Sequence, residues 1–337
     1  MKDVKPFIFE PNRRVLNALS VIENRATSTT PSILHGLPGG EPKDELVPWR
    51  PGDLIGILGF TSHGKTSFVN YIMDQHAHYI RGRQRSGQDY PHIVLRVTWE
   101  NSIEETTAVD LSRVTQISLK KIFTGDLTPD EMLSLNSAGA DEVKSLPVWL
   151  LGHSLKDDEL KPPMDMAAVR DAIVYIEQEK KMVIDLVILD YLQRITPPPG
   201  KDLREGYMSI VNDAKNLSLR RPVILNCQAK RDVVFRDDPQ PMISDGQETS
   251  NFEQSCTHVI SVMMPKHVWK EGHGCYNYFN DTTYYTYKKL LSVMVLKQTM
   301  GDAPMRWYFE MGFGGTYLSE VPAEHWEKGK PKNDKKL

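Results

Sequence analysis

Four places in this 337-residue chain carry side chains whose types and spacing suit chemistry on a chain of phosphates. The first is "GFTSHGKT", Gly59 to Thr66, which fits G-x-x-x-x-G-K-[ST]. In that pattern glycines let the backbone curl until its N–H groups face phosphate oxygens, and the following helix N-terminus adds a favourable partial charge. Lys65 would place a point charge on the β- and γ-phosphates, and the Thr66 hydroxyl would ligate Mg2+. Gly59, Ser62, His63, Gly64, Lys65, Thr66 and Ser67 form the candidate nucleotide-binding set, with His63 read as a tolerated loop residue rather than a catalytic one. The second place is Asp190, closing the apolar run "DLVILD", where a carboxylate would sit beside the metal. The third is Glu100, at the end of "HIVLRVTWE", a candidate base for a hydrolytic water. The fourth is Gln228, after "PVILNC", whose amide can report a γ-phosphate by hydrogen bonding. Each carboxylate also has a plain reading, as an acid that ends a strand.

These residues need strands that stop at one edge. "DLIGILG", "HIVLRVT", "VIDLVILD" and "PVILNC" are apolar runs separated by helical spacing, the pattern of a mainly parallel sheet with helices on both faces. "PVWLL" reads as a further strand, and "HVISVMM", "LSVMVLKQ" and "RWYFEM" as an antiparallel C-terminal extension. Phe68, Val69, Ile72 and Met73 make one helix face after the phosphate loop. Ser102 with Glu105, and Thr128 with Glu131, are capping boxes that open helices. Residues 1–26 read as an arm with a short helix that presents Val15, Leu16, Leu19 and Ile22, and that either docks on another molecule or packs back on its own domain. Residues 27–50 read as a linker, 51–320 as the main α/β domain, with 266–289 as a polar, aromatic surface excursion, and 321–337 as a disordered, charged tail. Asp110 and Asp185 read as ordinary surface or strand-edge acids.

The bulk composition is that of a soluble globular protein: 40% hydrophobic, 25% charged, net charge −3. No apolar run approaches the roughly 18 residues of a membrane span. The three cysteines lack C-x-x-C spacing and read as reduced thiols, which points to a cytoplasmic protein. His267, His273 and Cys275 match no common zinc spacing.

Together the segments "PGDLIGILGFTSHGKTSF", "VLRVTWENSIEE", "DLVILDYLQRI", "RPVILNCQAKR", "MISDGQETSNFEQSCTHVISV" and "VMVLKQTMG" resemble the RecA-like ATPase domain of DnaB-type replicative helicases. The likeness implies a RecA-like P-loop NTPase fold, ATP and Mg2+ as cofactors, and a hexameric ring that travels on single-stranded DNA. A primase or helicase loader is the further partner it implies. It implies that Glu100 is the catalytic base, that Asp190 and Thr66 hold the metal, and that Gln228 couples the γ-phosphate to DNA-facing loops. Lys297 would reach a neighbour's nucleotide, and the N-terminal helix would dock on an adjacent subunit.

Two departures bear on rate. The family's K-x-R, which carries an arginine finger worth about 10³–10⁵ in rate, here reads Lys297-Gln298-Thr299. Either Arg306 substitutes, Lys297 acts alone, or hydrolysis is slow. The family's R-E-S-G reads Gln247-Glu248-Thr249-Ser250, one phosphate-binding arginine fewer. Candidate DNA contacts are Lys201 and Arg204 after the Asp190 strand, Lys230, Arg231 and Arg236 after Gln228, and Gln247, Glu248 and Ser250. By themselves the two basic loops also read as solvated charge clusters. The alternatives to a helicase are a RecA-like recombination or annealing ATPase and a poorly hydrolysing ATP-dependent clamp or scaffold.

Overall fold

The computed structural model describes residues 13, 15–16, 19–20, 36–38, 46–157, 164–246, 250–312 and 317–330. Its strands are β1 (Leu54–Gly59), β2 (His92–Thr98), β3 (Val148–Leu151), β4 (Val183–Asp190), β5 (Val223–Gln228) and β6 (His258–Met263), followed by β7 (Gly274–Asn277), β8 (Thr282–Tyr285), β9 (Leu290–Lys297), β10 (Met305–Met311), β11 (Leu318–Glu320) and β12 (Trp326–Lys328). Nine form one sheet in the order β11-β10-β9-β6-β1-β5-β4-β2-β3. The block from β6 to β3 is parallel, and β9, β10 and β11 extend it antiparallel. This is the architecture expected from the uninterrupted apolar runs.

Helices cover both faces. They are α1 (Lys65–Arg85), α2 (Ile103–Thr115), the six-residue α3 (Leu119–Thr124), α4 (Pro129–Ser134) and α5 (Ala140–Ser145), α6 (Met166–Gln178), α7 (Leu203–Ser218) and the six-residue α8 (Ser250–Ser255). Side chains of β1 alternate between two cores. Ile55 and Ile57 pack with Phe68 and Ile72 of α1, whereas Leu54 and Leu58 join Ile173 of α6 and Ile210 of α7. Each large side chain so buried stabilises by about 1.5–3 kcal/mol. Both expected capping boxes form, Ser102 with Glu105 and Thr128 with Glu131.

Three sequence boundaries move. Leu37, Leu46 and Trp49, read as linker, are buried in the α1-side core; isolated apolar residues among prolines and glycines show no periodicity to reveal that. The stretch from 321, read as a tail, instead contributes β12, which pairs antiparallel with β8. The excursion 266–289 is itself ordered: β7 and β8 pair, and with β12 make a second, three-stranded sheet. Residues 331–337 lie outside the described residues. Of the N-terminal arm, Arg13, Val15, Leu16, Leu19 and Ser20 are helical and exposed; Ile22 lies outside the described residues.

Asp185 and Asp110 are buried, contrary to the sequence reading. Asp110 lies in the field of Arg96 and Arg113, though burial outweighs them and raises its pKa. Asp185 bridges two histidines, with His92 Nδ1 at 2.6 Å and His76 Nε2 at 3.3 Å. Tyr90 stacks on His92 at 3.7 Å. Burial pushes the Asp185 carboxyl up, but the hydrogen bonds from His76 and His92 outweigh it and hold the pKa below the ordinary 3.8. A depressed carboxylate contributes stability above its unfolded-state pKa and loses it as pH falls through the folded value. Asp185→Ala is therefore expected to cost about 3–5 kcal/mol in urea unfolding at pH 7, because it removes the partner of buried His76 and half-buried His92. The gap between variant and wild type should narrow below about pH 4; a gap independent of pH would contradict the ionised pairing.

Candidate active site

The parallel register brings the strand ends to one edge. Gly59 of β1 pairs with Gln228 of β5, and Thr98 of β2 with Asp190 of β4. The phosphate loop bridges β1 and α1 there. A Cβ on Gly59 would lie 2.6 Å from the Val262 carbonyl oxygen, so only glycine fits. Gly64 adopts φ +87°, a left-handed conformation that lets the loop turn into the helix. A cleft of about 320 Å³ opens over this edge and is lined by loop residues together with Glu100, Asp190 and Gln228.

Thr66 and Asp190 meet in the cleft: the Thr66 hydroxyl donates to Asp190 Oδ2 at 3.1 Å. The other carboxylate oxygen accepts from Asn226 Nδ2 at 2.7 Å. The pairing Leu189↔Leu225 puts Asp190 and Asn226 next in line on neighbouring strands. Asn226 is fully buried, and its Oδ1 has no hydrogen-bond partner. The sequence reading missed it; an amide inside the apolar run "PVILNC" was the available signal. Lys65 Nζ donates to the Gly59 and Phe60 carbonyls at 2.9 and 2.8 Å. Burial lowers its pKa, against the pull of Asp190, Cys227 and Glu100. Glu100 is raised by partial burial and by the neighbouring Asp190, with Arg194 and Lys65 opposing. A raised carboxylate is the better proton acceptor.

Gln228 is tied to both sides of the cleft. Its Nε2 donates to Thr61 Oγ1 at 2.6 Å, and its backbone N–H donates to Gln193 Oε1 at 3.1 Å. Gln193, also missed, joins the segment after β4 to the end of β5. His63 is buried, accepts from Met264 N–H at 3.3 Å, and has its pKa lowered to about 4 by burial and by His267 and the neighbouring lysines. A neutral imidazole packed in this way fills space beneath the loop.

The model of the DnaB-like helicase C terminal domain matches residues 44–308, well over half of the chain. The chain belongs to this family. It is 26% identical over 225 residues to the replicative DNA helicase DnaB of Rickettsia prowazekii (strain Madrid E), covering 65% of this chain and 43% of that protein. The DnaB of Mycoplasma genitalium (strain ATCC 33530 / DSM 19775 / NCTC 10195 / G37) is 24% identical over 237 residues, covering 68% and 47%. The chain thus spans less than half the length of these relatives. In fold it is similar to the ATPase domain of G40P, with a TM-score of 0.71, 17% identity, and 93% of this chain and 100% of that one covered. A DnaB-like replicative helicase whose structure reports its interactions with primase gives 0.69 and 16%, covering 94% and 68%.

Within this DnaB-family domain the remaining candidates separate. Arg306 is 6% exposed on β10, and its guanidinium pairs with Asp238 at 2.6 Å, so its charge is matched within the chain. Lys297 ends β9 opposite Val259 at the start of β6, the sheet edge away from its own cleft, with Nζ on the Glu253 carbonyl at 2.9 Å. Lys201, Arg204, Lys230 and Arg231 are exposed on the segments after β4 and β5. Arg236 is exposed but grips buried Asp245 through two 2.7 Å bonds, so its charge is matched within the chain. Gln247 and Glu248 lie outside the described residues, as does the side chain of Ser250. Among the described residues no cluster of His, Cys, Asp or Glu could hold a metal by itself, and no helix is long and apolar enough to cross a membrane.

The oxygens of Thr66 and Asp190, which meet in the cleft, suit a hard cation that keeps water in its shell. Asn226→Ala should free the Asp190 carboxylate and lower the Mg2+-dependent affinity for ATP by about tenfold or more, the usual cost of losing a residue that orients a ligand. A titration with fluorescent ATP at several Mg2+ concentrations checks this; an unchanged Mg2+ requirement would contradict it.

Proposed function

We propose that the chain is the ATP-hydrolysing motor domain of a DnaB-type replicative helicase, assembling into a hexameric ring that travels on single-stranded DNA, with a primase or loader as partner. The observation that carries it is the convergence of Lys65, Thr66, Asp190, Glu100 and Gln228 on one cleft. Mg2+ held through Thr66 and Asp190 would neutralise charge on the β- and γ-phosphates. Lys65 would leave its two carbonyls for the phosphates. Glu100 orients the attacking water and takes its proton, a role its raised pKa favours. Gln228, bonded to Thr61 of the loop and to Gln193, links the phosphate end of the cleft to the segments bearing Lys201, Arg204, Lys230 and Arg231. Those cations would grip phosphates and so confer little sequence preference. Lys297 would face the nucleotide of the next subunit, and the exposed Val15, Leu16 and Leu19 would dock on a neighbour.

A second reading, a clamp that binds ATP and hydrolyses it poorly, is favoured by one observation: Thr299 stands where the family has its arginine, and Arg306 is committed to Asp238. Glu100→Gln separates the two. On the motor reading it lowers turnover by about 10²–10⁴ while ATP binding persists, and the wild type displaces one strand of a forked duplex with ATP. Equal turnover in variant and wild type, with no strand displacement, would leave the clamp.

A further inference from the structure

We propose that a hollow beside the phosphate loop is a second binding site, for a nucleotide unit held by lysines at its phosphate and by aromatic side chains at its base. The hollow measures about 610 Å³ and lies between the turn at Pro265–Trp269 and the segment Thr286–Lys288. That volume is in the range of small-ligand sites, roughly 300–1,000 Å³. It shares no lining residue with the ATP cleft. Lys266, Lys270 and Lys288 border it with Trp269 and Tyr287, and the single acid is Glu271. Among the described residues no carboxylate pairs with any of the three lysines. Lys266 is half-buried close to Lys288. Gathering like charges there is unfavourable unless an anion compensates, and phosphate with an adjacent base is the ligand that uses both the ammoniums and the aromatic wall.

The site is built rather than a loose surface. Tyr287 stacks on His325 at 3.8 Å and its hydroxyl donates to Glu310 at 2.9 Å. Tyr284 stacks on Tyr308 at 4.5 Å, and Asn277 Nδ2 donates to the Arg306 carbonyl at 2.8 Å, fixing the small sheet to the large one. The hollow also touches the motor: His267 hydrogen-bonds the Ser62 backbone and its ring lies 4.9 Å from that of His63. Ser62 holds φ +63°, a strained conformation in the middle of the phosphate loop. His267 thus joins the wall of the hollow to the loop that borders the cleft.

The nucleotide unit has two sources, a free nucleoside triphosphate or a single strand, and the experiment distinguishes them. The 337-residue wild type is compared with Lys266→Ala/Lys270→Ala/Lys288→Ala in two measurements. One is binding of a fluorescent oligo-dT across a salt series, the other the number of ATP molecules bound per chain. If a strand is the occupant, the slope of log K against log salt falls by about 2, at roughly 0.7 per phosphate contact. If a free nucleotide is the occupant, stoichiometry falls from two per chain to one. Either result supports the site; slope and stoichiometry both equal to wild type overturn it, as does a wild type that binds one ATP and no strand. Should the triple variant fail to fold, Lys288→Ala, at an exposed position, is expected to lower the slope by about 0.7 or to weaken the second ATP. A Lys65→Ala chain removes the cleft nucleotide while leaving the hollow filled, so failure of the motor reading and failure of this one give different results.

Discussion

Asp190 is a carboxylate at 6% exposure at the end of a largely apolar strand, and its two hydrogen bonds fix the rest of the site. A buried charge in such a place costs several kcal/mol unless each oxygen finds a donor. Thr66 supplies one from the first turn of α1, and Asn226 supplies the other from β5. One carboxylate thereby ties the phosphate loop to two neighbouring strands, in addition to the backbone ladder that already aligns them. Moving any of the three elements by a residue would break the pair, since a one-residue slip turns strand side chains to the opposite face.

The same edge sets what can follow from ATP binding. Parallel strands deliver their C-terminal ends to one side, so the segments after β4 and β5 begin within hydrogen-bond reach of the phosphate loop. Gln193 and Gln228 make that reach concrete, joining Thr61 to both segments through bonds of 2.6 and 3.1 Å. Opposite them, β9 runs antiparallel and carries Lys297 to the far edge of the sheet. The cleft and Lys297 therefore lie at opposite ends of the strands.

Much of this was legible in the sequence because it depends on local rules. The glycine spacing, the apolar runs ending in Glu100, Asp190 and Gln228, and both capping boxes are short-range patterns. What was not legible depends on partners distant in the chain. Asp185 looks like any strand-edge acid until His76 and His92, 109 and 93 residues away, close on it. Arg306 passed for a candidate finger because nothing local announces that Asp238, 68 residues earlier, meets it on a buried strand. Trp49 sits among prolines with no periodicity, yet is fully buried. β12 is charged and short, and pairing with β8 is all that makes it a strand. The family likeness supplied the role for Lys297; residue patterns alone gave a nucleotide site with Glu100 as a candidate base and left the use of its energy open.

The most direct test of the account is steady-state ATP turnover with and without a single-stranded oligonucleotide, on protein whose assembly mass is measured with nucleotide bound. The account predicts a hexamer whose turnover rises on adding the strand. A chain that binds ATP in the cleft yet turns it over at one slow rate, with or without DNA, would contradict the coupling of the Asp190 edge to the segments after β4 and β5.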